Sequence, residues 1–134
     1  MLQRIKELVS QGESFAFETT LATRSYQNLI KSAKKERYET ILLFLTLDSK
    51  ELAIRRVATR VSEGGHNIPP DVIERRYVKG MLNLFNIYMK IVDKWILVDN
   101  SDEDFEFIAE GSNSEYVVNN EKKWSNLREQ YNGN

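Results

Sequence analysis

Five arginines flank one loop, and their chemistry suits the binding of phosphate. The loop is the Gly-Gly-His-Asn-Ile-Pro-Pro stretch at residues 64–70. The arginines are Arg55, Arg56, Arg60, Arg75 and Arg76. A guanidinium group donates paired, charge-assisted hydrogen bonds to phosphate oxygens, and a closing helical lid can carry such groups to a phosphoryl group. The alternative is a solvated helix surface on which the arginines face local glutamates, which are Glu51, Glu63 and Glu74.

Polar residues also follow three predicted strands, at the positions where ligands of α/β proteins bind. They occupy residues 18–24, 47–48 and 99–101. In such proteins the ligand lies beyond the carboxyl ends of the strands. These three segments are therefore candidate binding segments.

Alternating helices and strands are needed to position these residues, and the hydrophobic spacing predicts them. The predicted helices cover about 2–9, 23–36, 49–61, 70–91 and 124–131, with any interruption of the fourth expected near Gly80. The predicted strands are Ser14–Glu18, Thr40–Leu45, Lys94–Asp99 and an edge strand Phe105–Glu110 that pairs with Tyr116–Val118. Thr40–Leu45 is almost entirely apolar, so helices are expected on both of its faces. The order predicts an α/β fold with a mostly parallel sheet, and the end of the chain at 132–134 is expected to be loose.

Composition excludes several kinds of chemistry. The 134 residues contain no Cys, which rules out disulfides, thiolate metal sites and Cys nucleophiles. A single histidine, His66, leaves little room for a His-based site, and no metal site is expected. The formal charge of −1 argues against a nucleic-acid or membrane-surface partner, and no apolar run is long enough to span a membrane. A cytoplasmic location is therefore expected.

Several motifs occur in an order that carries a family resemblance. They are Gly12–Leu21, Leu52–Val61, Gly64–Pro69, Ile73–Gly80 and Asp99–Ser101. Together they resemble the zeta-toxin-like P-loop kinases, the predicted ABC-type ATPase group, over roughly residues 2–111. The resemblance implies a three-layer P-loop kinase-like α/β fold with a helical lid and a mostly parallel sheet. It also implies ATP and Mg²⁺ as cofactors and phosphoryl transfer to a small-molecule hydroxyl, for which the family suggests a sugar nucleotide.

The same resemblance assigns roles to substrate-binding residues. Glu18 matches the acid that lines the acceptor pocket at the end of a strand, and Thr20 and Arg24 lie beside it where such proteins contact substrate. On spacing alone, Glu18 is equally well explained as a carboxylate that caps a helix.

Lid and cofactor residues are assigned in the same way. Arg60 matches the lid arginine before the loop, and Arg75 or Arg76 matches the arginine after it. His66 and Asn67 fall in the lid loop, where a solvated role is expected. Asp99 and Asn100 match the segment near the nucleotide base, although Asp-Asn-Ser is also an ordinary signal for a turn after a strand.

One departure from the family limits these expectations. The sequence contains no G-x-x-x-x-G-K-[ST] loop, and no residue matches the general-base Asp. The expectation is an incomplete domain over 1–118 with a lid at about 60–76, followed by a helix or tail at 119–134. It lacks the N-terminal P-loop strand and helix, binds no ATP or Mg²⁺ tightly and transfers no phosphate. The activity would then belong to a longer kinase of which this chain is the C-terminal portion.

Two other functions remain open from the sequence. The first is a non-catalytic binding or interaction module, for instance toward an antitoxin-like partner. The second is an anion or nucleotide binder that uses only the arginine lid. In either case, a sheet without the P-loop strand has unpaired edges. The strands Ser14–Glu18 and Thr40–Leu45 are then expected to pair directly, or the chain to form a homodimer through the exposed sheet edges.

Overall fold

The chain folds as alternating helices and strands in a computed structural model that describes residues 2–65, 68–112 and 115–131. The helices are α1 (Leu2–Ser10), α2 (Tyr26–Lys35), α3 (Lys50–Ser62), α4 (Pro70–Asn83), α5 (Met89–Ile91) and α6 (Glu121–Tyr131). A π-helical turn, Leu84–Tyr88, joins α4 to α5. The strands are β1 (Ile41–Thr46), β2 (Lys94–Asp99), β3 (Glu106–Gly111) and β4 (Tyr116–Val118). Residues 132–134, which were expected to be loose, lie outside the described residues.

The four strands form one sheet in the order β1-β2-β3-β4. β1 pairs with β2 in parallel, and the helices α3 to α5 provide the long crossover that a parallel pair requires. The pairs β2-β3 and β3-β4 are antiparallel because only short connections separate those strands. The predicted α/β class is confirmed, but the sheet is mixed rather than mostly parallel.

The core lies on one face of the sheet, between the strands and the helices. Its fully buried members include Met81, Leu84 and Tyr88 from the long helical run and Leu97 from β2. The indole of Trp124 in α6 stacks on that of Trp95 in β2, with ring centroids 5.6 Å apart. The last helix therefore belongs to the same core as the sheet.

The opposite face of the sheet exposes apolar side chains in β1. Ile41, Leu43 and Leu45 are 56%, 58% and 46% exposed. They alternate with half-buried Leu42 and Phe44, as expected when only one face of a strand is covered. The expectation that helices cover both faces of this strand is therefore wrong for the described part of the chain.

The predicted strand Ser14–Glu18 is not a strand. Residues 13–22 are irregular, and β1 pairs only with β2 among the described strands. The aromatic rings of the segment pack instead on side chains of and near α2, with centroids 5.2 Å apart for Phe17 and Tyr26 and 6.3 Å apart for Phe15 and Tyr38. The expected direct pairing of this segment with Thr40–Leu45 is therefore also wrong, because ring contacts hold it without a strand ladder.

The long helical run departs from α-helical geometry beyond Gly80, not at it. The backbone continues as an α-helix to Asn83, and the π turn follows at Leu84–Tyr88. Insertions of this kind widen the helix and occur frequently at functional sites. The predicted irregularity is thus present but lies one helical turn further along the chain.

Candidate functional site

The lid helix α3 is capped where it begins and has a well-defined end at the loop that joins it to α4. Ser49 caps α3, since its hydroxyl accepts a hydrogen bond from the Leu52 N–H at 3.2 Å. At the other end, the N–H of Gly65 donates to the Arg60 carbonyl at 2.7 Å, and Gly64 adopts a φ of 98°. This Schellman-type closure requires glycine at the left-handed position and places Arg60 in the last turn of α3.

The three predicted lid arginines are exposed to solvent. Arg60 lies in α3, and Arg75 and Arg76 lie in the second turn of α4. Within the described part of the chain, none of the three makes a side-chain hydrogen bond or ion pair. Glu74, one of the glutamates that could have neutralised them, pairs with Lys50 at 2.8 Å instead. The lid arginines are thus available to an external anion. His66 and Asn67 lie outside the described residues.

The lid is fixed to the sheet through Ser101, just after β2. A guanidinium nitrogen of Arg56 donates to the Ser101 carbonyl at 2.9 Å. The Ser101 hydroxyl accepts from the Asp48 N–H at 2.7 Å, directly after β1. The middle of α3 and the turn that precedes it are therefore anchored at the carboxyl edge of the two parallel strands.

Asp99 and Asn100, predicted near the nucleotide, take part in contacts within the protein. One carboxylate oxygen of Asp99 accepts from the Ser101 N–H at 2.8 Å, and the other accepts from the Lys123 ammonium of α6. Burial alone would raise the pKa of the Asp99 carboxyl, but the hydrogen bonds from Lys123 and Ser101 together lower it below its ordinary value. The Asn100 N–H donates to the Thr46 carbonyl at 2.8 Å.

The side chains that the structure describes do not form an ATP–Mg²⁺ site. Both carboxylate oxygens of Asp99 are engaged, and no cluster of three or more metal-binding side chains occurs among residues 2–65, 68–112 and 115–131. The sequence lacks the Gly-Lys-Ser/Thr element that would hold the phosphates. No step of a reaction is therefore assigned to ATP or Mg²⁺ on these residues.

The segment that carries Glu18, Thr20 and Arg24 is fixed to α4 at its centre. Leu21 is 3% exposed and adopts a φ of 59°, a left-handed conformation that is uncommon for leucine. Its carbonyl accepts from the Asn83 side-chain amide at 2.7 Å. Gly80 lies so close that an added Cβ would be 2.3 Å from the Thr20 carbonyl oxygen. The long helical run therefore determines where this segment lies.

Arg24 lines an open cleft of about 930 Å³ between this segment and the long helical run. Lys79 of α4 lines the same cleft, together with the side-chain amides of Gln27, Asn83 and Asn86. Glu18 and Thr20 precede the cleft in the chain and are exposed, but they do not line it. The structure thus places one of the three predicted substrate residues in a cleft.

Lys79 was not predicted from the sequence, although its spacing carried a signal. It follows Arg75 and Arg76 by four and three residues, so the three basic side chains neighbour one another on the helix surface. No acidic residue lies three or four positions from Lys79. A lysine without a helical partner beside two arginines indicates a basic surface rather than a network of ion pairs.

Comparison with known proteins identifies the family. The Zeta toxin family model matches residues 1–112. An uncharacterized protein of Haemophilus influenzae is 30% identical over 69 residues, which are 52% of this chain and 49% of that protein, so the chain spans about half of the relative's length. No solved structure matches. In the described part of the chain, no helix is long and apolar enough to cross a membrane. Because the family model covers most of the sequence, the chain belongs to the Zeta toxin family.

Proposed function

We propose that this chain provides the lid and the acceptor-binding segment of an ATP-dependent kinase that phosphorylates a hydroxyl group of a small molecule. The observation that carries the proposal is the set of three exposed lid arginines without a protein partner in the described structure, in a chain of the Zeta toxin family. Cations left unpaired on a helical lid favour the binding of phosphate oxygens. A sugar nucleotide is the acceptor that this proposal favours.

The proposed roles follow from the positions of the side chains. Arg60, Arg75 and Arg76 bind phosphate oxygens when the lid is closed, and Arg56 holds α3 against the carboxyl edge of the sheet. Arg24 binds the acceptor, while Glu18 and Thr20 lie in the segment that leads to it. The phosphate loop and the general base come from outside these 134 residues, so the chain on its own is expected to transfer no phosphate.

The proposal is tested in a complete homologous kinase that carries a phosphate loop. Arg60→Gln at the matching position is expected to lower kcat by at least about a hundredfold, since an arginine on a transferring phosphoryl group is worth 10³ or more. A gain in the mass of the acceptor equal to one phosphoryl group reports transfer. Arg55→Gln is the matched control, because Arg55 is exposed on the same helix but five residues away, on another face. Unchanged turnover in the Arg60 variant would remove this residue from the proposed machinery.

The isolated chain provides a second test. Calorimetry with ATP and Mg²⁺ is expected to show no tight binding, because no phosphate loop is present in the sequence. Micromolar affinity would contradict the proposal that the phosphate cradle comes from elsewhere.

A second candidate, a non-catalytic interaction module, is favoured by the free edge of β1. If β1 paired antiparallel with β1 of a second copy and the pairing were centred on Leu43, Leu43 would lie opposite Leu43. Ile41 would then lie opposite Leu45 on the same face of the sheet. β1 contains no charged residue and no proline, the two features that commonly prevent self-pairing of edge strands. The occupant proposed for this edge is therefore a second copy of the chain.

A further inference from the structure

The first turn of α6 is fixed against the sheet. The side-chain oxygen of Asn120 accepts a hydrogen bond from the Lys123 N–H at 3.0 Å, as in a helix cap. The N–H of Asn120 donates to the Ile108 carbonyl of β3 at 3.1 Å. Trp124, the next residue after Lys123, is 6% exposed and stacks on Trp95. The position of Lys123 relative to the sheet is therefore determined on both sides of this residue.

Lys123 is a cation in the first turn of a helix, where the helix dipole disfavours positive charge. Its ammonium group contacts two carboxylates, that of Asp99 at the end of β2 and, at 2.6 Å, that of Glu106 at the start of β3. The side chain of Asp99 is 6% exposed, whereas that of Glu106 is 50% exposed. A buried carboxylate without a cation is costly. Lys123 is therefore the group that allows Asp99 to remain charged inside the protein.

The Asp99 carboxylate also holds the turn that follows β2. Its other oxygen accepts from the Ser101 N–H at 2.8 Å. The Ser101 carbonyl accepts from the Arg56 guanidinium of α3 at 2.9 Å, and the Ser101 hydroxyl accepts from the Asp48 N–H at 2.7 Å. One continuous chain of contacts therefore runs from the Lys123 ammonium group to the lid helix α3.

The helix α6 lies outside the part of the chain that the family model matches. The match ends at residue 112, and α6 begins at Glu121. The lid helix α3 and the turn at residues 99–101 both lie within the match. The chain of contacts therefore connects the lid to a helix that follows the family segment.

We propose that Lys123 is a positioning residue for the lid, because it fixes the turn at residues 99–101 to which α3 is attached. Without the ammonium group, Asp99 can avoid being a buried, unpaired charge by turning toward solvent, and it then gives up its bond to the Ser101 N–H. The turn no longer presents Ser101 to Arg56 in a fixed position. The proposal rests on the proposed function for the use of α3 as a lid, but its test follows the position of α3 in the isolated chain. Either proposal can therefore fail without the other.

Amide hydrogen exchange in Lys123→Met tests the first half of the proposal. Exchange of the Ser101 and Asp48 amides is expected to accelerate by about tenfold or more, the effect of losing one hydrogen bond to a charged group. Lys123→Gln removes the charge but keeps a donor, so it provides a second variant with the same expected direction. Lys123→Arg keeps the cation and should restore slow exchange at both amides.

The position of α3 is followed by double electron–electron resonance between two spin labels. Ala58→Cys on α3 and Lys90→Cys on α5 are exposed positions, and the chain has no cysteine of its own. One narrow distance distribution is expected with Lys123 or Lys123→Arg, and a broader one with Lys123→Met. Arg56→Gln breaks the same chain of contacts at its other end and should broaden the distribution as well.

Two control variants separate this role from a general effect on stability. Lys122→Met removes an exposed cation from the same turn of α6 and should change neither measurement. Leu127→Ala removes apolar contact between α6 and the core but leaves Lys123 in place. If Leu127→Ala broadened the distance distribution as much as Lys123→Met, the effect would be one of stability and the proposal would be overturned. Unchanged distances in Lys123→Met and Lys123→Gln, or no recovery in Lys123→Arg, would overturn it as well.

Discussion

The side-chain amide of Asn83 donates a hydrogen bond of 2.7 Å to the carbonyl oxygen of Leu21. Leu21 is the residue whose left-handed backbone turns the chain from the segment with Glu18 and Thr20 toward Arg24. A strained residue of this kind persists only where its surroundings hold it. The contact therefore links the position of the predicted acceptor segment to the helix that also carries the lid arginines Arg75 and Arg76.

Removal of this contact should loosen the segment. Asn83→Ala leaves the Leu21 carbonyl without its partner and is expected to lower the free energy of unfolding by about 1–3 kcal/mol. Amide hydrogen exchange at residues 20–24 should accelerate more than exchange in β2. Asn28→Ala, at an exposed position of α2, serves as the control. Equal exchange rates in wild type and the Asn83 variant would show that the hydrogen bond does not hold the segment.

Gly80 should not tolerate alanine, although alanine is the better helix former. An added Cβ would lie 2.3 Å from the Thr20 carbonyl oxygen, so either the segment or the helix must move. The clash is expected to cost up to about 3 kcal/mol against a gain of about 1 kcal/mol in helix propensity, so the net loss is up to about 2 kcal/mol. Urea unfolding measures the difference, with Ser125→Ala at an exposed position of α6 as the control. A stabilised Gly80→Ala protein would mean that the close approach does not exist.

The ion pair between Asp99 and Lys123 should make stability depend on pH. Hydrogen bonds lower the pKa of Asp99 despite its burial, so its contribution is present above about pH 4 and is lost as the pH falls through the lowered value. The hydrogen bonds of Lys123 to Asp99 and Glu106 raise its pKa, so its contribution is present below about pH 10 and is lost at higher pH.

Asp99→Asn tests this pH dependence. At pH 7 the variant is expected to lose about 1–3 kcal/mol of unfolding free energy, and this loss should shrink as the pH is lowered toward 3. Asp102→Asn, at an exposed position three residues along, should show little change at either pH. A loss of the same size at pH 3 and pH 7 would show that the charge on Asp99 is not what stabilises the protein.

Local sequence patterns were sufficient to predict the limits of an element that depends only on its own residues. The strand Lys94–Asp99 was predicted with the observed limits, because its apolar run is bounded by polar residues on both sides. The Ser14–Glu18 segment has strand-like composition as well, but a strand also needs a neighbour to pair with. The ring contacts of Phe15 and Phe17 replace that neighbour, and no local pattern reports them.

The candidate site was only partly predictable for a related reason. Arg24 and the lid arginines were predicted as candidates from their types and motif positions, whereas Lys79 was not. The cleft depends on Asn83 and Gly80 holding a distant segment against α4, which is a contact between residues far apart in the chain. Likewise, the engagement of Asp99 depends on Lys123, which precedes the predicted helix 124–131, and no local pattern indicated where that helix packs.

The free edge of β1 leads to a prediction about assembly. If two copies pair through this edge, sedimentation velocity should show a dimer whose fraction increases with concentration. Leu43→Lys places a charge at the centre of the pairing and is expected to shift the protein to monomer. Leu43 is 58% exposed, so the substitution should leave the fold of each copy intact, which circular dichroism can verify.

The control separates edge pairing from the stacking of two exposed sheet faces. Phe107 lies on β3, away from the free edge, and is 54% exposed. Phe107 pairs with Val98 of β2, and Val98 pairs with Leu45 of β1, so Phe107 lies on the same face of the sheet as Leu43. Phe107→Lys should therefore leave an edge-paired dimer unchanged, because its side chain lies two strands from the edge. If Phe107→Lys dissociated the dimer as completely as Leu43→Lys, the two copies would be joined through their sheet faces. A wild-type protein that stays monomeric at all concentrations would rule out both arrangements.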